Sequence, residues 1–372
     1  MIYLDHAATS PVRREVLEAI WPYLTGEYGN PSSSHSLGDS ASRALADARS
    51  RVARWFGARA SEITFTGGGT EAINTAIKGI ALATPRGRHV VTTPIEHEAT
   101  LESVDYLKRM HGFEVSFAPV DAQGRVDLAA LSALLRPDTT LVSVLAANNE
   151  IGTVQDTRAI AARCAPLGIP LHVDAVQAAG WLDVSVAALG ADAISISGHK
   201  LGAPKGVGAL YVRGRLPLEP LLHGGGQERG RRSGTENVAF AVALAAAVGS
   251  ADPSAGERIS ALRDAFIRSV LTDIPGARLT GSAEHRLPSV ASFVFPGRSG
   301  ESILLALEER GVVVSSGSAC AAGRDEPSHV LLALGLAPEL AQTAVRFSFG
   351  AESTVDDATA AVAALRAVLS VV

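Results

Sequence analysis

The chain has 372 residues and a net charge of −5 at pH 7, with 47% hydrophobic and 19% charged residues. This composition excludes an intrinsically disordered protein, and the length predicts one large domain with a smaller companion. The lack of a basic surplus argues against direct binding of nucleic acid, because no excess of lysine and arginine is present to neutralise phosphates.

Three further features of the sequence concern location and cysteine chemistry. The N-terminal sequence MIYLDHAATS has neither the basic region nor the apolar core of an export signal, so a cytoplasmic location is the default expectation. The apolar stretch Val238–Gly249 is too short to span a bilayer and predicts a buried helix or a subunit contact. The two cysteines, Cys164 and Cys320, lie far apart, which supports neither a disulfide framework nor a metal site.

Short β-rich runs alternate with helical patterns from residue 63 to residue 212, which predicts a mostly parallel sheet wrapped by helices, a doubly wound α/β fold. Apolar residues recur at helical spacing in segments 99–111 and 157–167 between these runs. The predicted strands are ITFT, HVVTT, VSFAPV, LVSVLA, PLHVDAV, AISIS and GALYV.

The sequence changes character after residue 251, where Asp, Pro, Ser and Gly precede a long helical pattern. The segments SVASFVF, ILLALEER, VVVSS and VRFSF then predict further strands and helices. We therefore predict a large domain over residues 14–252 and a smaller α+β domain formed by residues 1–13 and 253–372.

The first segment with a chemical role is TFTGGGTE, residues 64–71, which predicts a strand, a glycine turn and the start of a helix. Backbone N–H groups at Gly69 and the hydroxyl of Thr70 would present donors to a phosphate. The segment lacks the spacing of a P-loop and of a dinucleotide-binding fingerprint. A plain tight turn is an equally good interpretation of this segment alone.

A carboxylate and a lysine follow at the ends of two later strands. Asp174 in HVDAVQ ends an apolar strand, where a carboxylate needs a partner such as the protonated ring nitrogen of a cofactor. The alternative is an aspartate that caps the next helix. Lys200 follows the strand AISIS among small residues and can form a Schiff base with an aldehyde. Alone it would also fit a solvated surface lysine, but the three features in this order together indicate a cofactor site.

The two cysteines occur in different contexts. Cys320 lies in SSGSACAAGRDEP, whose small and polar residues predict a mobile loop. A lone cysteine is more often structural, but an exposed thiol in such a loop is suited to act as a nucleophile. Cys164, in the helical run IAARCAPLG, is predicted to be buried and inert.

The chain resembles, over nearly its whole length, the class V aminotransferase-like family of pyridoxal 5'-phosphate (PLP) enzymes of fold type I, and within it the cysteine desulfurases. The glycine turn departs from the family in reading TGGG instead of TSGG, and His6 and Ser10 stand where many relatives carry other polar residues. Neither departure removes an essential chemical group. The segments that carry the resemblance are YLDHAAT, NPSSSH, FTGGGTEAIN, the pair Glu96 and His97, NNEIGTVQ, HVDAVQ, SGHKLGAPKG, RSGTEN, SSGSAC and VRFSFG.

The resemblance implies a role for each matching residue. His97 is expected to stack on the cofactor ring and relay protons, Arg346 to clamp the substrate carboxylate through two hydrogen bonds with help from Asn30, and Cys320 to receive sulfur as a persulfide. Thr235 is expected to reach the cofactor of the neighbouring subunit in a homodimer. The other expected PLP ligands are Gly69, Thr70, Asn149, Asp174, Gln177, Ser197, His199 and Lys200.

The activity implied by the resemblance is conversion of L-cysteine to L-alanine, with delivery of the sulfur to an iron-sulfur scaffold protein or a tRNA-thiolation pathway. The long segment after SSGSAC suits a loop that carries sulfur outward to an acceptor. The nearest alternative is a selenocysteine lyase or another PLP enzyme of the same fold, and Cys320 argues against ordinary transamination. A non-catalytic assembly platform is a further alternative, against which the joint presence of Lys200, Asp174, His97 and Cys320 argues.

Overall fold

A computed structural model describes residues 1–83, 86–249, 254–316 and 326–370. The strands are β1 (Ile2–Tyr3), β2 (Ile63–Thr66), β3 (His89–Thr92), β4 (Glu114–Phe117), β5 (Thr139–Leu145), β6 (Leu171–Asp174), β7 (Ala193–Ser197), β8 (Gly208–Val212), β9 (Arg278–Leu279), β10 (Val290–Val294), β11 (Val312–Val313) and β12 (Ala344–Ser348). The helices are α1 (Arg14–Thr25), α2 (Ser36–Phe56), α3 (Gly69–Ala83), α4 (Glu98–His111), α5 (Leu128–Leu134), α6 (Thr157–Cys164), α7 (Val186–Leu189), α8 (Val238–Gly249), α9 (Ala255–Asp273), α10 (Gly300–Glu308), α11 (His329–Ala333), α12 (Pro338–Ala341) and α13 (Val355–Ser370).

A seven-stranded sheet lies at the centre of residues 63–212, in the order β2-β8-β7-β6-β5-β3-β4. Strands β7, β6, β5, β3 and β4 are parallel, whereas β8 runs antiparallel to both of its neighbours. The central strands β5, β6 and β7 are buried along their whole length, as is typical of a parallel sheet with both faces covered. The predicted α/β fold with a mostly parallel seven-stranded sheet is confirmed.

Most of the predicted strands and helices are present, but several of them begin or end at other residues than predicted. The strand predicted over VSFAPV stops at Phe117, and Pro119 two residues later has no N–H to continue a ladder. The segment ILLALEER forms helix α10, and VVVSS contributes only the two residues of β11. Helix α8 is largely buried and packs on α1 and α2, which confirms the helix predicted over this apolar stretch.

Residues 255–370 build a second region around a three-stranded antiparallel sheet of order β12-β10-β9. Phe266 on α9 makes aromatic contacts with Phe293, Phe347 and Phe349, with ring centroids 4.9–6.2 Å apart. The domain boundary predicted at residues 252 and 253 lies outside the described residues. The division into residues 14–252 and the remainder therefore stays a prediction.

The N-terminal segment joins the two regions. Strand β1 pairs in parallel with β11, Leu4 N donates a hydrogen bond to Val313 O at 2.9 Å, and Ser348 N donates to Leu4 O at 2.6 Å. The chain then reaches the large sheet, where Ser10 N donates to His199 O at 3.1 Å. Residues 2–10 therefore bring both regions to one place. Along the part of the chain described here, no helix combines the length and apolarity needed to cross a membrane.

Candidate active site

A cavity of about 340 Å³ lies at the carboxyl ends of β5, β6 and β7, beside the first turn of α3. Small-molecule sites typically occupy roughly 300–1,000 Å³, and open α/β sheets bind ligands at this edge. The cavity gathers most of the predicted site residues, namely Gly69, Thr70, His97, Asn149, Asp174, Gln177, Ser197, His199, Lys200 and Arg346. Its other lining residues are Ala7, Ala8, Ile73, Leu145, Ala147 and Val176.

The buried carboxylate of Asp174 forms one wall of this cavity. Asp174 is the last residue of β6, and its Oδ1 accepts a hydrogen bond from Val176 N at 2.9 Å. Burial raises the pKa of Asp174, while the hydrogen bond from Val176 N–H and the electrostatic interactions with His97 and Lys200 oppose that shift. A cationic group inside the cavity would offset the cost of burying this carboxylate.

The amine of Lys200 lies against the N-terminal segment. Lys200 ends a single 3-10 turn after β7, and its Nζ donates hydrogen bonds to Ala7 O and, at 2.6 Å, to Ala8 O. Gln177 Nε2 donates to the same Ala7 O at 2.9 Å. Two backbone carbonyls thus hold the lysine amine at the cavity wall, and a ligand aldehyde would have to draw it away from them.

The first turn of α3 forms the end of the cavity suited to an anion. Helix N-termini leave backbone N–H groups without intrahelical partners. A methyl group on Gly69 would lie 3.0 Å from Val176 Cγ2 and 3.2 Å from Ser197 Cβ, so a side chain there would occupy the space beside these donors. Gly68 has φ of +151°, a conformation that favours glycine. These positions therefore explain why the turn is built from glycines.

Two histidines in the cavity wall have defined hydrogen-bond partners. His97 caps α4, and its Nδ1 accepts from Ala99 N at 3.0 Å, so a neutral ring carries its proton on Nε2. His199 Nδ1 lies 3.1 Å from Thr9 Oγ1. Burial, with the charges of Lys200 and Lys205, lowers the pKa of His199 to about 4, so this imidazole is neutral at physiological pH.

Arg346 provides the guanidinium of the cavity. It lies in β12 and only 2% of its side chain is exposed. Nη1 donates to Asn149 O at 2.9 Å and Nη2 forms an ion pair with Asp5 Oδ1 at 2.7 Å. A guanidinium whose orientation is fixed in this way is the side-chain group best suited to bind a carboxylate through two parallel hydrogen bonds.

Among the described residues, two of the predicted site residues are not in the cavity lining of the single chain. Asn30 is exposed, and its Oδ1 accepts from Ser32 N at 2.9 Å. Thr235 is exposed three residues before α8 begins. Cys320 lies outside the described residues. The roles predicted for these residues therefore stay predictions.

The sequence interpretation missed two contributions to the site. Asp5, which pairs with Arg346, lies within the YLDHAAT segment, and its acidic side chain next to an apolar strand was the available signal. The carbonyls of Ala7 and Ala8 have no side-chain signature. His6, a position where many relatives carry other polar residues, packs against Gly350, and its Nε2 lies 3.7 Å from the carboxylate of Glu352.

Comparison with known proteins agrees with this geometry. The family model described as aminotransferase class-V matches residues 2–360. The chain belongs to this family. It is 45% identical to a protein named cysteine desulfurase IscS from Dictyoglomus turgidum, over 96% of this chain and 91% of that protein. It is 44% identical to a protein of the same name from Methanosarcina thermophila, over 96% of this chain and 89% of that protein.

Solved structures of similar proteins have the same fold. One named NifS-like protein superposes with a TM-score of 0.93 at 37% identity and covers 100% of both chains. Another, named SspA in complex with cysteine, superposes with a TM-score of 0.84 at 35% identity and covers 94% of this chain and 99% of that one. The predicted membership of the family is confirmed.

The cofactor of this class-V enzyme is PLP, and the cavity fits it. The first turn of α3, where Gly69 leaves space, suits the phosphate, and the buried carboxylate of Asp174 suits a protonated pyridine nitrogen. The amine of Lys200 suits the aldehyde. Bound PLP supplies an electron sink for the carbon atom next to a substrate amine.

Glu96, which directly precedes His97 in the chain, is a buried glutamate. Glu96 Oε1 accepts hydrogen bonds from Thr93 Oγ1 at 2.6 Å and from Leu145 N at 3.1 Å. Its Oε2 has no hydrogen-bond partner among the residues that the structure describes. Burial, with a smaller contribution from Asp174, raises the pKa of Glu96 to about 8, so the side chain is neutral at pH 7.

We expect Glu96 to make the stability of the enzyme depend on pH. Because its folded pKa lies above the ordinary value of 4.5, its stabilising contribution is complete below pH 4.5 and is lost as the pH rises to about 8. The wild type should therefore lose stability relative to Glu96→Gln between these values, by at most about 1.4 kcal/mol per pH unit. Denaturant unfolding of both proteins at pH 5 and pH 8 measures this difference. An equal difference at both pH values would contradict it, and Glu98→Gln, at an exposed neighbouring position, is the control.

Cys164 is excluded from the chemistry by its surroundings. It ends α6 with 1% of its surface exposed, and burial raises the pKa of its thiol to about 12. A thiol that stays protonated is a poor nucleophile. The prediction that Cys164 is buried is confirmed.

Proposed function

We propose that this protein is a cysteine desulfurase that takes sulfur from L-cysteine onto Cys320 and releases L-alanine. The observation that supports this most strongly is the single cavity that brings Lys200, Asp174, His97 and Arg346 together. The similarity to cysteine desulfurases over 96% of the chain, and a structural relative named as a complex with cysteine, support the same substrate.

Arg346 and Lys200 have different roles toward L-cysteine. Arg346 binds the substrate carboxylate, because its buried guanidinium is already aligned by Asn149 O and Asp5. Lys200 Nζ would take the proton from Cα of the substrate, as a general base in the cavity wall. The carbonyls of Ala7 and Ala8 then accept hydrogen bonds from the protonated amine and hold it near the site.

The other residues hold the cofactor and move protons. The first turn of α3 with Thr70, Ser197 and His199 would bind the phosphate of PLP, and Asn149 and Gln177 would contact its ring oxygen. Asp174 would keep the ring nitrogen protonated, and its buried position would make that pairing strong. His97 would lie against the ring and would pass protons through Nε2, since its Nδ1 already accepts a hydrogen bond.

Sulfur transfer forms one bond and breaks another. The thiolate of Cys320 attacks the substrate sulfur, the bond between that sulfur and the substrate Cβ breaks, and Cβ receives a proton as alanine forms. The balance is one L-cysteine plus one Cys320 thiol giving one L-alanine plus one persulfide. No outside oxidant or reductant is needed.

The persulfide is then passed to an acceptor, which we propose to be an iron-sulfur scaffold protein or a protein of tRNA thiolation. A homodimer is part of this proposal, since Thr235 is exposed and outside the cavity of its own chain, where a neighbouring subunit can receive it. A cytoplasmic location fits as well, because a persulfide-forming thiol needs a reducing compartment.

The proposal is tested by locating the sulfur. The holoenzyme is given one turnover of L-cysteine without reductant, digested, and analysed by mass spectrometry, with L-alanine measured in the same sample. We expect one added sulfur atom on the peptide that contains Cys320, none on the peptide with Cys164, and alanine equal to the added sulfur. Alanine and free sulfide without a modified Cys320 would contradict the proposal and favour direct lyase chemistry.

A further inference from the structure

The segment between β8 and α8 contains a closed loop, residues 222–235, which we term the arginine loop. Ser233 N donates a hydrogen bond to Leu222 O at 3.1 Å, and Gly234 N donates to Gln227 Oε1 at 3.0 Å. Thr235 follows directly as an exposed residue. The loop is therefore a compact unit that ends at a predicted phosphate ligand.

One carboxylate links the arginine loop to the glycine turn that precedes α3. Glu71 in the first turn of α3 forms an ion pair with Arg232 of the loop, from Nε to Oε1 at 3.0 Å. Glu71 Oε2 also accepts a hydrogen bond from Gly67 N at 2.7 Å. The same side chain thus holds the turn and the loop together.

A second carboxylate makes a similar connection to a backbone N–H that lies two residues earlier in the chain, in β2. Glu228 of the loop forms a bidentate ion pair with Arg49 of α2 at 2.5 and 2.7 Å, and its Oε2 accepts from Phe65 N of β2 at 3.1 Å. Both charged side chains are buried. Glu228 and Arg229 have φ values of 50° and 59°, which side-chain-bearing residues rarely adopt. Such a backbone persists only where contacts of this kind hold it.

We propose that Glu71 and Glu228 are positioning residues that fix the arginine loop to the glycine turn, so that the turn is held for the phosphate of its own cofactor while Thr235 is held for the phosphate of the neighbouring subunit's cofactor. This inference rests on the proposed assignment of Gly69, Thr70 and Thr235 as phosphate ligands. Each glutamate bonds to a backbone N–H beside the turn and to an arginine. The two contacts of each glutamate can be separated by mutation, because replacing the arginine leaves the hydrogen bond from the backbone N–H to the glutamate in place.

Arg232 is the position at which this connection can be removed without disturbing a buried charge. Its ion pair with Glu71 is partly exposed, whereas Arg49 and Glu228 are buried and their removal would leave an unpaired charge. Arg232→Gln frees the loop from α3 and retains the hydrogen bond between Glu71 and Gly67. The matched control is Arg231→Gln, which removes a charge from the same loop, where Arg231 Nη1 makes a long contact with Ser61 O at 3.4 Å and no ion pair to Glu71 is seen among the described residues.

The measurement is equilibrium dialysis of the purified holoenzymes against a series of PLP concentrations, with bound PLP followed by visible absorbance. We expect Arg232→Gln to raise the half-saturating PLP concentration by roughly three- to tenfold, Arg232→Lys to restore part of the affinity, and Arg231→Gln to leave it unchanged. At saturating PLP the rate of alanine formation and the thermal midpoint of Arg232→Gln should match the wild type, which a general loss of structure would not allow.

Two results would overturn the inference: an unchanged PLP affinity in Arg232→Gln, or an equal loss in Arg231→Gln. Failure of the proposed activity would be seen separately. In that case the wild type would make no alanine from L-cysteine at saturating PLP, whatever the dialysis experiment gives.

Discussion

Replacing Cys320 with alanine should lower L-alanine formation from L-cysteine by at least about a thousandfold, because the variant has no thiolate to accept the substrate sulfur. Substrate should still bind, since Arg346 and Lys200 are unchanged, so the visible spectrum of the holoenzyme should still respond to added L-cysteine. The measurement combines alanine release, sulfide release with a thiol reductant, and the spectrum.

The matched control for this variant is Cys164→Ala. Cys164 is buried at the end of α6 and its thiol stays protonated, so its removal should leave alanine formation unchanged. A Cys320→Ala enzyme as active as the wild type would show that Cys320 does not carry the sulfur. The remaining alternative, a selenocysteine lyase, is tested by supplying selenocysteine in place of L-cysteine. A lyase would release selenide even from the Cys320→Ala variant.

Replacing Lys200 with alanine should remove both the covalent attachment of the cofactor and the general base. Positioned proton transfer alone contributes about 10²–10⁴-fold, so we expect alanine formation to fall by at least about 10³-fold. The visible absorbance of the holoenzyme should move to that of PLP without its lysine link. The variant should also release PLP more readily on dialysis.

Lys108→Ala is the control for this experiment, since Lys108 is exposed in the last turn of α4. It should retain the spectrum and the activity of the wild type. A Lys200→Ala enzyme with an unchanged spectrum would place the cofactor on another amine. An unchanged spectrum together with unchanged activity would reject the assignment of Lys200 altogether.

The α/β fold could be predicted because strands and helices of residues 63–212 differ in the period of their apolar residues. The short β-rich segments AISIS and GALYV became buried strands with the predicted ends. Strand direction could not be predicted in the same way. Strand β8 follows the 3-10 turn at Lys200 and returns antiparallel to β7, because only a short loop separates the two strands.

The position of the site could be predicted because residues with ionisable or reactive side chains lie at the carboxyl ends of strands. Asp174 ends β6 and Lys200 follows β7, and neighbouring parallel strands bring their carboxyl ends to one edge. The ion pair of Asp5 with Arg346 could not be found in this way. Its members are 341 residues apart, and only the pairing of the N-terminal segment with β12 brings them together.

The placement of residues 2–10 also determines when the site can form during synthesis of the chain. Strands β11 and β12, between which Leu4 lies, are made more than 300 residues after these residues. The large sheet can fold earlier, since domains generally fold as units in order of synthesis. The carbonyls of Ala7 and Ala8 that hold Lys200 reach their positions only after β12 has emerged. A nascent chain therefore completes its lysine pocket only after β12 has been synthesised, long after the lysine itself has been made.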